Sequence, residues 1–312
     1  MNKPILIATK VLLTVAFLVL GVFYFWTRKE EFSNLHMPSA YAIFVVAVAF
    51  TMNVGLRSTY NLISARSLGA SLSVSESFML TAVVTSGNFI LPAKVGAGIR
   101  ALYMKKVHNF PISHFVGSAF IFLIVTIISV AFAALVLLIA IYVWLDYFRL
   151  DLILLFPATM ILAVVAVVLL RSRGEDSESG SHSWFQAFRT SLAILLDEKR
   201  LLFAALVIAG LIFLSTSIAL MVALREYAPD VAIVEAFLLS ASQMIAGFIT
   251  LTPGAAGFQE LIGMYVGQSF AATMAQILTV LIWVRVVRIV ASLILAVPSV
   301  WILKDRMKNA GA

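Results

Sequence analysis

Lys94, Arg100, Arg285, Arg288 and Glu260 are the charged residues that fall within or beside long apolar stretches of the chain. Four cations stand against one carboxylate, and charge left unpaired away from water is expensive. The chemistry such a set could do is to hold an anion, and in a bilayer the natural anion is a phosphate. Two Pro/Gly clusters accompany the charges: Leu91-Pro92-Ala93-Lys94-Val95-Gly96-Ala97-Gly98 and Pro253-Gly254-Ala255-Ala256-Gly257. Where a helix is interrupted in this way, free backbone N–H groups and helix N-termini form an anion-binding surface. Gly96, Gly98, Gly254 and Gly257 would let the backbone approach a phosphate, and Glu260 would be a counter-charge or a proton-coupling site.

Other chemistries find few candidates. The absence of cysteine excludes a thiolate nucleophile, a disulfide scaffold and cysteine-ligated zinc. His36, His108, His114 and His182 lack metal-ligand spacing. No serine occupies a nucleophile-elbow context, and no paired carboxylates occur within the apolar stretches. A metal, a cofactor and an enzymatic reaction are therefore not expected.

The elements that must position these residues are membrane helices. Of 312 residues, 62% are apolar and 12% charged, with mean hydropathy +1.05. A soluble domain is nearer half apolar and a quarter charged. The net charge of +7 does not indicate nucleic-acid binding, because excess Lys and Arg is what the positive-inside rule leaves on cytoplasmic loops. Crossing ~30 Å of hydrocarbon takes roughly 20 apolar residues. Segments at about 5–26, 39–56, 113–142, 152–170, 201–224 and 274–300 qualify. Two further stretches, 76–92 and 231–252, each run into a Pro/Gly cluster, which makes about eight apolar segments in an all-α polytopic protein. Phe23-Tyr24-Phe25-Trp26 offers no small-residue cleavage site, so the first segment reads as an uncleaved helix.

With the N-terminus cytoplasmic, fourteen of the 22 basic residues fall on inside loops, Arg57 among them, and four (Arg28, Lys29, Arg149 and Arg225) fall outside. That asymmetry places both termini in the cytoplasm and the protein in the plasma, or bacterial inner, membrane. The polar stretch 171–200, with Gly174-Glu175-Asp176-Ser177-Glu178-Ser179-Gly180, reads as a flexible cytoplasmic linker.

The single membrane domain, 1–312, contains an internal match. Glu76-Ser77-Phe78-Met79-Leu80-Thr81-Ala82 corresponds in character to Glu235-Ala236-Phe237-Leu238-Leu239-Ser240-Ala241, and Pro92-x-x-x-Gly96 to Pro253-x-x-x-Gly257. Similar shifts carry 40–62 onto 201–223 and 113–139 onto 274–300. Repeats of about 1–150 and 151–312 follow, inverted on the charge map, as in many secondary transporters. A full crossing by 76–92 would drag Arg100, Lys105 and Lys106 through hydrocarbon on the return, at roughly 8–10 kcal/mol. A re-entrant hairpin entered from the cytoplasm avoids this. Its partner, 231–272, would enter from outside, although 231–252 is also long enough to span.

Each residue also admits a structural role. Pro92 and Pro253 could mark simple kinks, Lys94 could snorkel to the interface, and Arg285 could pair with Glu260. Arg288 could reach toward headgroups, and Asn88 and Gln243 could be interhelical hydrogen-bond glue.

At these residues the sequence resembles the membrane domain of the lysylphosphatidylglycerol synthase/flippase family. Asn88-Phe89-Ile90-Leu91-Pro92-Ala93-Lys94-Val95-Gly96-Ala97-Gly98-Ile99-Arg100-Ala101 is similar to its N-x-x-x-P-x-[RK]-x-G-E-x-x-R-A stretch, and Pro253-Gly254-Ala255-Ala256-Gly257-Phe258-Gln259-Glu260 to P-G-G-x-G-x-R-E. Ala97 stands where the family usually has Glu, and Gln259 where it often has Arg. The resemblance implies lipid translocation or lipid-carrier handling, with an anionic phospholipid or a polyprenyl phosphate as the membrane partner. Aminoacyl-lipid synthesis is not expected, since no aminoacyl-transferase domain precedes Ala312. A soluble-anion transporter, or a homo-oligomeric or enzyme-bound protein that only presents lipid, are the competing expectations. In this cysteine-free chain, Lys94→Cys should label from the cytoplasmic side and Glu260→Cys from the opposite side; labelling of both from one side would contradict the inverted hairpins.

Overall fold

The computed structural model describes residues 36–90, 95–145, 150–172, 183–248, 253–268 and 270–309. The first apolar segment, Pro92 and Lys94 lie outside the described residues. Ten α-helices occur among them: α1 (Ala40–Ser67), α2 (Val74–Ile90), α3 (Val95–His108), α4 (Ile112–Leu145), α5 (Leu150–Ser172), α6 (Ser183–Asp197), α7 (Lys199–Arg225), α8 (Ile233–Ala246), α9 (Phe258–Gly267) and α10 (Met274–Asn309). A short 3-10 turn, Pro253–Ala255, precedes α9. No strand occurs among the described residues.

Five helices, α1, α4, α5, α7 and α10, are long and apolar enough to cross a membrane. They coincide with five of the six segments expected to span. Each exposes a broad apolar surface, as Phe44, Phe132, Leu162, Phe203 and Ile294 illustrate; in water such surfaces would be untenable, and against lipid they are the ordinary finish of a spanning helix.

The helix pair at the centre is α1 against α7, and polar contacts fix its direction. Ser39 Oγ accepts from the Ala42 N–H and so caps α1. The same hydroxyl donates to Glu226 Oε1 at 2.9 Å, and the Ser39 N–H donates to Glu226 Oε2 at 3.0 Å. Midway, Asn53 Nδ2 donates to Thr216 Oγ1 at 3.0 Å, and Ser215 Oγ donates to Asn53 Oδ1 at 2.6 Å. Farther along α1, Tyr60 shares an apolar cluster with Leu201, Ala205 and Ile208. The start of α1 thus meets the end of α7, and the two helices run antiparallel.

The hairpin α2–α3 packs on α1. Ser77 Oγ donates to the Ser58 carbonyl at 2.8 Å and Asn61 Nδ2 to Thr81 Oγ1 at 3.1 Å, while Phe50 and Val54 pack with Ala82 and Phe89. The second hairpin, α8–α9, packs on α7 in the same manner. Each is braced by the long helix of the other half: α2 lies along α10, and α8 along α4.

The crossing of α2 and α3 depends on an absent side chain. A Cβ on Gly96 would run into the Val84 carbonyl oxygen and sit 2.8 Å from Asn88 Oδ1, and one on Gly87 would sit 3.1 Å from Gly96 Cα. Gly96 is therefore held close to α2, where the sequence suggested close approach to a phosphate.

One expectation is overturned. Ser183–Asp197, read as part of a flexible linker, is helix α6. Phe188, Leu192 and Leu195 recur at helical spacing; Leu192 and Leu195 are buried with Tyr60, Ile121 and Leu201, and Phe188 is buried against Phe120. The Gly-, Ser- and acid-rich residues ahead of it drew the linker too far along the chain; residues 173–182 lie outside the described residues.

Two alanine substitutions should separate packing from propensity. Gly96→Ala should destabilise by about 1–3 kcal/mol through overpacking, seen as a lower Tm in detergent. Gly98→Ala, with nothing within 4 Å, should be neutral or stabilising by up to about 1 kcal/mol.

Candidate functional site

The turn between α8 and α9 is built from left-handed backbone. Gly254 has φ +57°, Ala255 +56° and Gly257 +80°, a geometry in which glycine carries no Cβ penalty. Gly254 also lies against Phe89, where a Cβ would meet the ring and backbone at 3.3–3.4 Å. The tip of the second hairpin thus rests on the end of α2.

The turn is held by charge-assisted hydrogen bonds. The Gly257 N–H donates to Glu260 Oε2 at 2.7 Å, capping α9 with its own carboxylate. Arg285 Nε donates to Glu260 Oε1 at 2.7 Å, Nη1 to the Gly254 carbonyl at 2.9 Å and Nη2 to Gln259 Oε1 at 2.9 Å. Gln259 is fixed in turn, its Nε2 donating to the Gln243 carbonyl at 3.0 Å while Gln243 Nε2 donates to the Gln259 carbonyl at 2.7 Å. The Arg285 and Glu260 side chains are 16% and 11% exposed. This is the structural pairing foreseen as the alternative to anion binding, and it fastens α10 to the turn. Gln243 is the interhelical glue that the sequence allowed.

Beside this strut lies a cleft, lined in part by Phe89, Thr216, Gln243, Glu260, Arg285 and Arg288. Glu260 is the acid among its lining residues, and both its oxygens are engaged. Arg288, half-buried, lies near enough to Arg285 and Arg57 for their charges to repel it. Neither Arg57 nor Arg288 has a hydrogen-bond or carboxylate partner among the described residues. Arg57 is a residue that sequence reasoning misplaced. It was assigned to a loop because the apolar run ends near 56, yet α1 continues to Ser67 and carries Arg57 in its interior. The arginine interrupts hydropathy without interrupting the helix; two charge-free turns on either side were the signal that could have found it.

The first hairpin's residues are distributed differently. Arg100 is 5% exposed, on α3, with its guanidinium carbon 5.2 Å from the Phe115 ring centroid and its Nε without a hydrogen-bond partner. Asn88 Oδ1 is likewise buried and unpartnered, close to Gly96. Gly98 is exposed on α3. None of these four residues lines the cleft. The structure therefore brings Glu260, Arg285 and Arg288 to the cleft with Gly254 and Gly257 on the adjoining turn, leaves Arg57 outside its lining, and leaves Asn88, Gly96, Gly98 and Arg100 at the α2–α3 crossing. Pro253 opens the turn.

A second polar cluster sits at the start of α2. Buried Glu76 receives the Tyr103 hydroxyl and faces His108 Nε2 at 2.9 Å and Arg306 Nη1 at 3.4 Å. It ties α2 and α3 to the far end of α10. In the sequence Glu76 stood out only as the first residue of the internal match.

With this geometry in place, a family model described as the lysylphosphatidylglycerol synthase TM region matches residues 7–296. The chain belongs to this family. Membership and the five spanning helices make it an integral membrane protein of a family linked to lipid handling. The search of curated proteins found no match. Within the lysylphosphatidylglycerol synthase family pattern, Gln259 replaces the frequent arginine of the second motif, and here its neutral amide links the Arg285 guanidinium to the Gln243 carbonyl on α8.

The two sides of the strut should be energetically coupled. Glu260→Gln or Arg285→Gln alone should lower stability by about 3–5 kcal/mol at most, because each leaves a poorly solvated charge. The double substitution should cost less than the sum, measured as a coupling in a double-mutant cycle of unfolding.

Proposed function

We propose that the protein moves a phosphate-bearing lipid or lipid carrier between leaflets, with Arg288 holding the headgroup anion in the cleft. The observation that carries this reading is an unpartnered guanidinium, that of Arg288, lining the cleft beside a strut that has already neutralised Arg285. Arginine is well matched to phosphate by its planar fork of N–H donors. Arg288 is fourteen residues into α10, about 21 Å along it at 1.5 Å per residue, so it lies well within a spanning helix.

The lengths of the hairpin helices support a re-entrant arrangement. α2, α3, α8 and α9 have 17, 14, 14 and 10 residues, about 15–26 Å when helical and short of a ~30 Å crossing. Non-helical backbone at such depth is tolerated where protein or a water-filled cavity satisfies it, and the turn at Gly254 is satisfied by Arg285. The antiparallel course of α1 and α7 is what inverted halves require. On this reading the two hairpins approach from opposite faces, both termini are cytoplasmic, the membrane is the plasma membrane, and transport proceeds without a catalytic step.

The test is movement of headgroup-labelled phospholipids across vesicles carrying the purified protein. Arg288→Gln should slow it about tenfold or more, the loss of one charge-assisted contact, while Arg285→Gln should lower stability as well as rate. Wild-type flux in Arg288→Gln at equal protein content would overturn the assignment. Saturable uptake of an aqueous anion without lipid movement would favour the soluble-anion transporter, and no flux of either kind a protein that presents lipid to a partner.

A further inference from the structure

The polar groups that line the cleft differ in what they have left to offer, and the conclusion drawn from that difference rests on the anion-holding reading above. Glu260 Oε1 takes Arg285 and Oε2 takes the Gly257 N–H. The Gln259 amide is spent on Arg285 and the Gln243 carbonyl, and Gln243 Nε2 donates to the Gln259 carbonyl. Thr216, on α7 and 7% exposed, belongs to the same lining and is committed on one side only. Its Oγ1 accepts from Asn53 Nδ2 at 3.0 Å, while its O–H has no acceptor among the described residues. A threonine inside a helix can turn that proton back to the carbonyl four residues earlier. The Ile212 carbonyl at that spacing instead shares the Ser215 hydroxyl, at 3.1 Å, with Asn53.

We infer that Thr216 is a second donor to the anion, its hydroxyl joining the Arg288 guanidinium on the ligand, and that Asn53 on α1 is the positioning residue that sets the direction of that hydroxyl. The bond lengths fix the polarity. Ser215 Oγ lies 2.6 Å from Asn53 Oδ1, a length of O–H···O bonds and below the range of N–H···O bonds. The Asn53 amide therefore turns its oxygen to Ser215 and its NH2 to Thr216. A hydroxyl has one proton and two lone pairs; with Asn53 on a lone pair, the proton is what Thr216 has to give. Thr216 and Arg288 reach the cleft from α7 and α10, and Phe89, Leu220, Leu281 and Val284 supply apolar wall around them. Such surroundings strengthen a hydrogen bond electrostatically. The ligand class is an oxyanion, with one oxygen on the charged fork and another on the neutral hydroxyl, and a phosphoryl group has oxygens for both. A lipid phosphate and free phosphate share that chemistry.

Binding tests this apart from transport. Purified full-length protein in detergent is titrated with phosphatidic acid, with occupancy read by native mass spectrometry and inorganic phosphate scored by its competition. Thr216→Val, which keeps the shape of the side chain and loses the hydroxyl, should weaken phosphatidic acid binding about tenfold, the worth of one hydrogen bond to a charged group. Thr216→Ser restores the hydroxyl without the methyl, and should recover the affinity to within about threefold; a loss that came from packing would not be recovered. Asn53→Leu, with Thr216 intact, should also weaken binding, because the hydroxyl is then free to turn back onto its own helix. Competition by inorganic phosphate with the same dependence on Thr216 would support the assignment and identify an aqueous source, and dependence on Thr216 without competition would support it with a lipid source. Wild-type affinity in Thr216→Val, a loss that Thr216→Ser fails to recover, or indifference to Asn53→Leu would overturn the inference. The reading beneath it fails separately: wild-type affinity in Arg288→Gln would overturn that reading, whereas a loss in Arg288→Gln with none in Thr216→Val would leave it standing and remove the second donor.

Discussion

Each nitrogen of the Arg285 guanidinium donates to the tip of the second hairpin, and the rest of the site follows from that one arrangement. Glu260, Gln259 and the Gly254 carbonyl receive Nε, Nη2 and Nη1. A broken helix leaves backbone groups without partners, and in a low-dielectric setting those groups need fixed donors. Arg285 supplies a donor and, through Glu260, the carboxylate that caps α9. The turn can then keep its left-handed residues and bear on Phe89 at the end of α2. With Arg285 and Glu260 neutralising each other, the cleft's excess charge resides on Arg288.

The two hairpins are stabilised by different means. The first is a close helix crossing at Gly87 and Gly96, dominated by backbone proximity. The second is knitted by reciprocal amide bonds between Gln243 and Gln259 and by the arginine strut. Bracing each hairpin with the long helix of the other half couples them: α2 against α10, α8 against α4. A displacement of α10 would act on both the cleft, through Arg285 and Arg288, and the Glu76 cluster, through Arg306. That coupling is the physical route by which occupancy of the cleft could be felt at the opposite end of the helix.

Much of this was legible in the sequence. Hydropathy located the spanning helices because apolar length is nearly sufficient for a membrane helix, and the Pro253–Gly257 cluster marked the turn because only that composition tolerates its backbone. The pairing of Arg285 with Glu260 was visible as an alternative, since the two charges stand alone in apolar surroundings. What the sequence could not decide was which cations are cancelled. That depends on rotamers and on helix approach: Arg100 is covered by Phe115, whereas Arg288 is left in the lining of the cleft. Arg57 was lost to a loop because one charge ends a hydropathy window, though it need not end a helix. Helix α6 was hidden by the polar residues before it, which mask a short amphipathic run whose apolar spacing becomes evident only against Tyr60 and Ile121.

The most direct test of the central claim is an experimental structure of the protein in lipid nanodiscs containing the phospholipid or polyprenyl phosphate that it binds best. The account predicts headgroup phosphate density on Arg288 within the cleft, with the Arg285–Glu260 contact intact. Phosphate density on Arg285 with that contact opened, or on the lipid-facing surface with the cleft empty, would contradict it.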